Sequence, residues 1–265
     1  MNYTIYIQSM NNFPIADWAV DAYMGFRDKQ ANIVFFEDIN EVPVSTTNIV
    51  VAYIEDTNKY FEKLGLPPKQ ALNIPFELDN HFYTKRGVAR TTMGWFKENC
   101  QEKAFPIFIK PDGKAKEFVA GVVTKKEYMD MFFKDVKDDA KILISDVVDI
   151  VSEWRVYVIN GQIKGVKWYL GDHLTFPDKN FIIDAVYEYK SAPSAYGIDF
   201  GVLKNGETVL IEANDGWSLG NYGLEPSTYS TLLATRWREI MKDVPKDTKK
   251  YYYGAAHEHV PNPRR

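Results

Sequence analysis

A single cysteine, Cys100, occurs in the 265 residues, so no internal disulfide can staple the fold. No apolar run approaches the length of a membrane span, and no hydrophobic signal region opens the chain; with the cysteine usage, this points to a cytoplasmic protein. An excess of positive charge is missing too. Lys and Arg number 32 against 36 Asp and Glu, a formal net charge of −4, which argues against the basic face that nucleic acid requires. Neither a Gly-x-x-x-x-Gly-Lys-Ser/Thr loop nor a Gly-x-Gly-x-x-Gly turn is present, and the commoner nucleotide-binding folds therefore lack support. There is no internal repeat and no low-complexity segment.

With 45% hydrophobic and 26% charged residues, the chain has material for one large or two small domains. Its aromatic residues are spread along the chain and read mainly as core. The first eighty residues alternate a strand at 3–8, a helix at 17–26 and strands at 33–36 and 49–53, the pattern of a small α/β domain. Leu64-Gly-Leu-Pro-Pro breaks that pattern, and a domain boundary is expected near Thr84. Beyond it the sequence predicts a helix at 91–100 and a hairpin of strands 105–110 and 118–123 whose tip carries Lys114 and Lys116. A helix at 124–133 follows, with Thr124 as N-cap and Glu127 as its capping-box partner. A strand at 142–144 leads to Ser145-Asp-Val-Val148, and then to a hairpin of strands 154–159 and 162–169 around Asn160-Gly161. A closing helix is expected at 228–241, and a loosely held tail from 246 to 265.

The most informative segment is 197–214, two β-rich runs joined by Lys204-Asn-Gly-Glu207. Period-two geometry puts Glu212 and Asn214 on one face of the second strand, with Asp199 in reach on the first. Strand-end acids are commonly just solvated. Asp199, however, interrupts an apolar run and Glu212 follows Val-Leu-Ile, places where a carboxylate is costly unless it is paired or metal-bound. Two carboxylates and an amide oxygen form a hard set suited to Mg²⁺, with Mn²⁺ as its substitute.

Ile109-Lys110-Pro111, the strand Glu153-Trp-Arg155, and Asp199 followed thirteen residues later by Glu212 and then by Asn214 resemble, in that order, the ATP-grasp superfamily of ligases. The resemblance spans about residues 85–240, and the Glu-Trp-Arg-Val-Tyr-Val hairpin points to the clade named for one arginine and two lysines in its site. It implies an α+β ATP-grasp fold with two subdomains holding ATP between them, a hairpin or lid part at 103–144 and a metal-binding part at 145–241. A pre-ATP-grasp-like α/β domain at 1–84 would precede them.

By the same resemblance, Lys110 would hold phosphates, Lys114 and Lys116 would sit in a loop closing over ATP, and Asp146, Val147 and Val148 would run beside the adenine. Glu153 would accept the ribose hydroxyls; Arg155 would reach the phosphates or simply pair with Glu153. Lys164 and Lys167 are three apart on one strand, so alternation lets only one face the site, and the otherwise apolar surroundings favour Lys167. Arg155 and Lys167 are the expected catalytic cations, because Gly197 stands where many relatives carry an arginine. Asp215-Gly-Trp-Ser218 would lie near the acceptor.

The implied activity is an ATP- and Mg²⁺-dependent ligation of a carboxylate to an amine or similar nucleophile through an acylphosphate, with a small molecule, amino acid or peptide as acceptor. A phosphotransferase using the same cradle and a non-catalytic ATP-binding module are the alternatives. Arg236 and Arg238 read as helix-surface residues, His257 and His259 as solvated without a third ligand, and Tyr251–Tyr253 as a docking run for the body or for another subunit.

Overall fold

The computed structural model describes residues 3–113 and 117–245, and the chain divides into two compact units, residues 1–68 with 225–265 and residues 69–224. The tail and the loop lysines Lys114 and Lys116 lie outside the described residues. In the first unit, β1 (Thr4–Met10) pairs antiparallel with the short β2 (Phe13–Pro14), α1 (Asp17–Asp28) follows, and β3 (Asn32–Phe36) and β4 (Asn48–Val51) lie parallel to β1 on either side. Ile5, Ile7, Ile49, Val50 and Val51 are buried along these strands, as the apolar runs require of a parallel sheet covered by helices. α2 (Ile54–Lys63) continues the unit, burying Tyr60 and Phe61.

The second unit carries two four-stranded antiparallel sheets. α3 (His81–Thr84) is capped by Asn80, whose side chain accepts the backbone N–H groups of Phe82 and Tyr83. β5 (Val88–Thr92), α4 (Met93–Asn99), β6 (Ile107–Pro111), β7 (Gly121–Val123), α5 (Met129–Phe133) and β8 (Lys141–Asp146) make the first sheet, in the order β5-β8-β6-β7, with α4 and α5 burying Met93, Phe96, Met129 and Phe133 against it. The helix expected at 91–100 runs over Met93–Asn99, because Thr91 and Thr92 still belong to β5. The expected Thr124 cap is not made, because a 3-10 turn at Lys126–Tyr128 intervenes and the residue preceding it is Lys125.

β9 (Ile150–Ile159), β10 (Gln162–Gly171), β11 (Ala195–Leu203) and β12 (Thr208–Asp215) form the second sheet in the order β10-β9-β11-β12, with α6 (Lys179–Glu188) inserted before β11. Asn160 and Gly161 both have positive φ, 49° and 73°, the backbone an Asn-Gly two-residue hairpin turn demands. One face of this sheet is apolar: Val156, Val158, Ile198, Phe200, Leu210 and Ala213 pack with Ile182 and Ala185 of α6. Among the described residues, no helix is long and apolar enough to cross a membrane.

α7 (Pro226–Ile240) then returns to the first unit, burying Trp237 against Phe61 with ring centroids 5.0 Å apart. Division by packing falls at 68/69 and 224/225 and puts α7 with the first unit. The reason is local. Gly25 of α1 lies so close to α7 that a Cβ there would stand 1.9 Å from the Pro226 carbonyl oxygen and 2.6 Å from Ser230 Oγ.

Replacing a helical glycine by alanine ordinarily stabilises by about 0.5–1 kcal/mol. Gly25→Ala is expected to do the reverse, costing about 1–3 kcal/mol through overpacking, and a thermal melt with a raised midpoint would refute the close α1–α7 approach.

Candidate active site

Four side chains stand in a row across the second sheet. Lys167 on β10 is directly opposite Arg155 on β9, Arg155 is opposite Asp199 on β11, and Asp199 is opposite Glu212 on β12. Directly opposed residues share a face, so the order is two cations and then two carboxylates, on the face away from α6. Uniform pairing would not produce this. Ile198 and Phe200 oppose Ala213 and Leu210, so two steps on β11 match three on β12, and a bulge follows the Asp199–Glu212 pair. Without the extra residue, Leu210 and Glu212 would share a face; the bulge sends Leu210 into the core and Glu212 to the row.

Arg155 and Asp199 form a buried bidentate pair, Nε donating to Oδ1 at 2.7 Å and Nη2 to Oδ2 at 2.7 Å. Burial works against the charge on Arg155, but the hydrogen bonds and charge of Asp199 outweigh it and hold the guanidinium above its ordinary value. Burial likewise pushes Asp199 up to about 6 against the pull of Arg155. Asn214 bridges the two acids, Nδ2 donating to Asp199 Oδ2 and to Glu212 Oε1, each at 3.1 Å. Lys110, from β6 of the other sheet, donates to Glu212 Oε2. Burial alone would raise Glu212; Lys110, Asn214 and Arg155 together hold it below the usual carboxylate range.

Gly197 has a role here as an absence of side chain. A Cβ at that position would sit 3.1 Å from Arg155 Cδ and 3.0 Å from the methyls of Leu219, so the glycine leaves room for the arginine stem arriving from the neighbouring strand. The guanidinium lies 4.9 Å from the Tyr222 ring and 5.8 Å from Tyr169, and those two rings stack 4.9 Å apart at 19°. Tyr169 donates to Glu153 Oε2 at 2.7 Å, and burial, then the charges of Asp199 and Glu153, push its phenol upward. Tyr157 fixes the segment following β12, donating to Gly220 O at 2.7 Å and Asn221 O at 2.5 Å.

The structure brings together Lys110, Arg155, Lys167, Asp199, Glu212 and Asn214, with Glu153 next to Arg155 through Tyr169. Arg155 pairs with Asp199 rather than with Glu153. Lys167 is half-buried and has no polar partner among the described residues, whereas Lys164 is the extra residue of a bulge, exposed, its Nζ donating to Gln162 at 2.7 Å. Asp146 ends β8 exposed, accepting Gly87 N–H at 2.8 Å, and Val147 and Val148 lie in the link between β8 and β9. Cys100 is buried and its thiol pushed up by that burial.

Three participants escaped the sequence reading. Arg86 donates to the carbonyls of Leu210 at 2.9 Å and Ile211 at 3.3 Å, satisfying backbone that the β12 bulge frees beside Glu212. Tyr169 was hidden because it is itself a bulge residue, and Tyr222 because it sits at φ 47° in a loop without periodicity. Among the described residues no cluster of three His, Cys, Asp or Glu side chains is poised for a metal.

Residues 83–232, more than half of the chain, match the model of an ATP-grasp domain family, the second family of the clade named for one arginine and two lysines. The chain belongs to this ATP-grasp family. Solved structures similar to it include D-alanine–D-alanine ligase from Bacillus anthracis complexed with ATP, at 12% identity and TM-score 0.53, over 92% of this chain and 99% of that one. D-cycloserine synthetase DcsG is similar at 7% identity and TM-score 0.55, over 88% and 99%. The ATP-grasp ligase PsnB complexed with minimal precursor is similar at 11% identity and TM-score 0.51, over 89% and 100%. No functionally curated protein matches the chain by sequence. The α+β architecture with antiparallel sheets is thus the ATP-grasp fold.

Removing Arg155 alone strands a buried carboxylate, so Arg155→Met is expected to cost about 3–5 kcal/mol in a urea titration. The double variant Arg155→Met/Asp199→Leu should recover most of that loss, and equal instability of single and double variants would show that the pair is not what holds the sheet there.

Proposed function

We propose that the chain is an ATP- and Mg²⁺-dependent ligase that joins a carboxylate to an amine or similar nucleophile through an acylphosphate. The observation that carries this reading is the row Lys167–Arg155–Asp199–Glu212 with Lys110 and Asn214 on its acidic end. The donor set fits Mg²⁺ with one adjustment. Asn214 directs its NH₂ at both carboxylates, and a half-turn of the amide, whose two orientations are nearly isosteric, would direct Oδ1 there instead. Asp199, Glu212 and Asn214 would then hold the ion, which supplies charge neutralisation and alignment of the phosphates.

Lys110 is the compact ammonium that can leave Glu212 for a phosphate oxygen. Arg155, fixed by Asp199 and two tyrosine rings, presents a guanidinium that needs no reorganisation as charge develops on the transferring phosphoryl. Lys167, without a competing partner among the described residues, completes the cationic end. Glu153 accepts from Tyr169 at one oxygen and keeps the other for a ribose hydroxyl. Val147 and Val148 offer backbone groups outside the strands to the base, beside Asp146.

A substrate carboxylate oxygen attacks the γ-phosphorus, the bond to ADP breaks, and the acylphosphate forms. An amine then attacks the acyl carbon, loses a proton, and inorganic phosphate departs. No side-chain nucleophile takes part, so positioning and electrostatics carry the rate. The acceptor class is a small molecule, amino acid or peptide; the acidic chain gives no support to nucleic acid.

Ligand at a hundred times its dissociation constant adds about 2.7 kcal/mol to stability. Mg²⁺-ATP is therefore expected to raise the melting temperature of the wild type and not that of Glu212→Ala, and Asn214→Ala should lose ADP release in an acceptor screen. Full ATP-dependent turnover by either variant would sink the metal assignment, and release of a stable phosphorylated product would make the enzyme a phosphotransferase instead.

A further inference from the structure

The first unit holds an open cavity of about 470 Å³ that takes no part in the chemistry above. It is lined by the turn that follows α1, by the first residues of β1, β3 and β4, and by α7. Two cations face it, Lys29 and Arg238, and among the described residues no Asp or Glu lines it. Gln30, Asn32, Ser230 and Thr231 supply neutral polar groups, while Ile5, Phe26, Ile49 and Ala234 make an apolar floor.

The cationic end is built. Lys29 Nζ donates to Thr231 Oγ1 at 2.7 Å, to Ser230 Oγ and to the Ser227 carbonyl, three neutral acceptors that orient the ammonium without cancelling its charge. Burial, the largest influence, lowers the lysine, with Glu225 acting against it and Arg238 with it. Gly25 allows this grip, since its missing side chain is what brings α7 onto α1 at Ser230. Arg238, a lining residue on the exposed face of α7, rests over the Tyr3 ring at 5.0 Å and has no hydrogen-bond acceptor among the described residues. A volume in the usual range of small-molecule sites, an apolar floor, an ammonium whose three N–H groups are held by the wall, and an exposed guanidinium in the lining describe a receptor for one kind of ligand.

We propose that this cavity is a second binding site of the protein, for a small organic anion with a flat apolar body and a carboxylate or phosphate head. The head would meet the Arg238 fork and the Lys29 charge, and the body would lie on Ile5, Phe26 and Ile49 beside Tyr3. The two head groups share a chemistry of planar or tetrahedral oxygens on a guanidinium, and benzoate and phenyl phosphate distinguish them.

The test is calorimetric titration of the full chain with benzoate and with phenyl phosphate, for the wild type, Arg238→Gln and Glu212→Gln. Arg238 is exposed, so its replacement should leave the melting curve unchanged, and a melt of each variant checks this. The expected result is saturable binding of at least one probe, weakened roughly tenfold or more in Arg238→Gln, the loss of one charged hydrogen-bonding partner, and unaltered in Glu212→Gln. Binding should persist in saturating Mg²⁺-ATP. The proposal is overturned if neither probe binds, if Arg238→Gln binds like the wild type, or if Mg²⁺-ATP displaces the probe. None of these outcomes depends on whether the chain proves to be a ligase.

Discussion

The Arg155–Asp199 pair is the constraint around which the candidate site is arranged. A carboxylate that is 1% exposed on a strand of otherwise apolar neighbours is tolerable only with a full complement of partners. Arg155 supplies two of them in the forked geometry a lysine cannot offer, and Asn214 supplies a third. Everything adjacent follows from housing that guanidinium: position 197 has no side chain because the arginine stem passes over it, two stacked tyrosines close one side, and Glu212 is left to be answered from the other sheet by Lys110.

A second constraint is parity. Sheets alternate faces rigidly, and a site whose two acids sit on adjacent strands needs both on the same face while the neighbours that fill the core keep theirs. The bulge in β12 reconciles the two demands, and its backbone cost is met by Arg86 from outside the sheet and by Asn73, whose carbonyl accepts Ala213 N–H at 2.5 Å. Bulges in β10 do the corresponding work, withdrawing Lys164 to the exposed face and turning Tyr169 onto Glu153.

Much of this was legible in the residues. The two hairpins were readable because Asn-Gly and Asn-Gly-Glu turns announce themselves, and the family likeness rested on an acid, acid, amide spacing that survives any irregularity in between. Alternation did not foresee what separates Lys164 from Lys167, a bulge between Ile163 and Gly165 that leaves Lys164 unpaired. What stayed hidden has a common physical cause. Arg86, Tyr169 and Tyr222 act where the backbone departs from periodicity, and a pattern of period two or 3.6 carries no information there. The partner of Arg155 was ambiguous because Glu153 shares its strand face, whereas cross-strand register, which decides for Asp199, is a long-range property. Helix α7 was placed near its true limits, but its allegiance was not readable: the contacts at Gly25 and Trp237 join residues some two hundred positions apart.

That allegiance governs the order in which the molecule can assemble. The second unit is a continuous stretch, 69–224, whereas the first is split and lacks its closing helix until residue 240 has been made. During synthesis the inserted segment can complete its own sheets while the parallel strands β1, β3 and β4 still wait for α7 to cover them. The first unit is therefore completed only after the whole of the second has been synthesised.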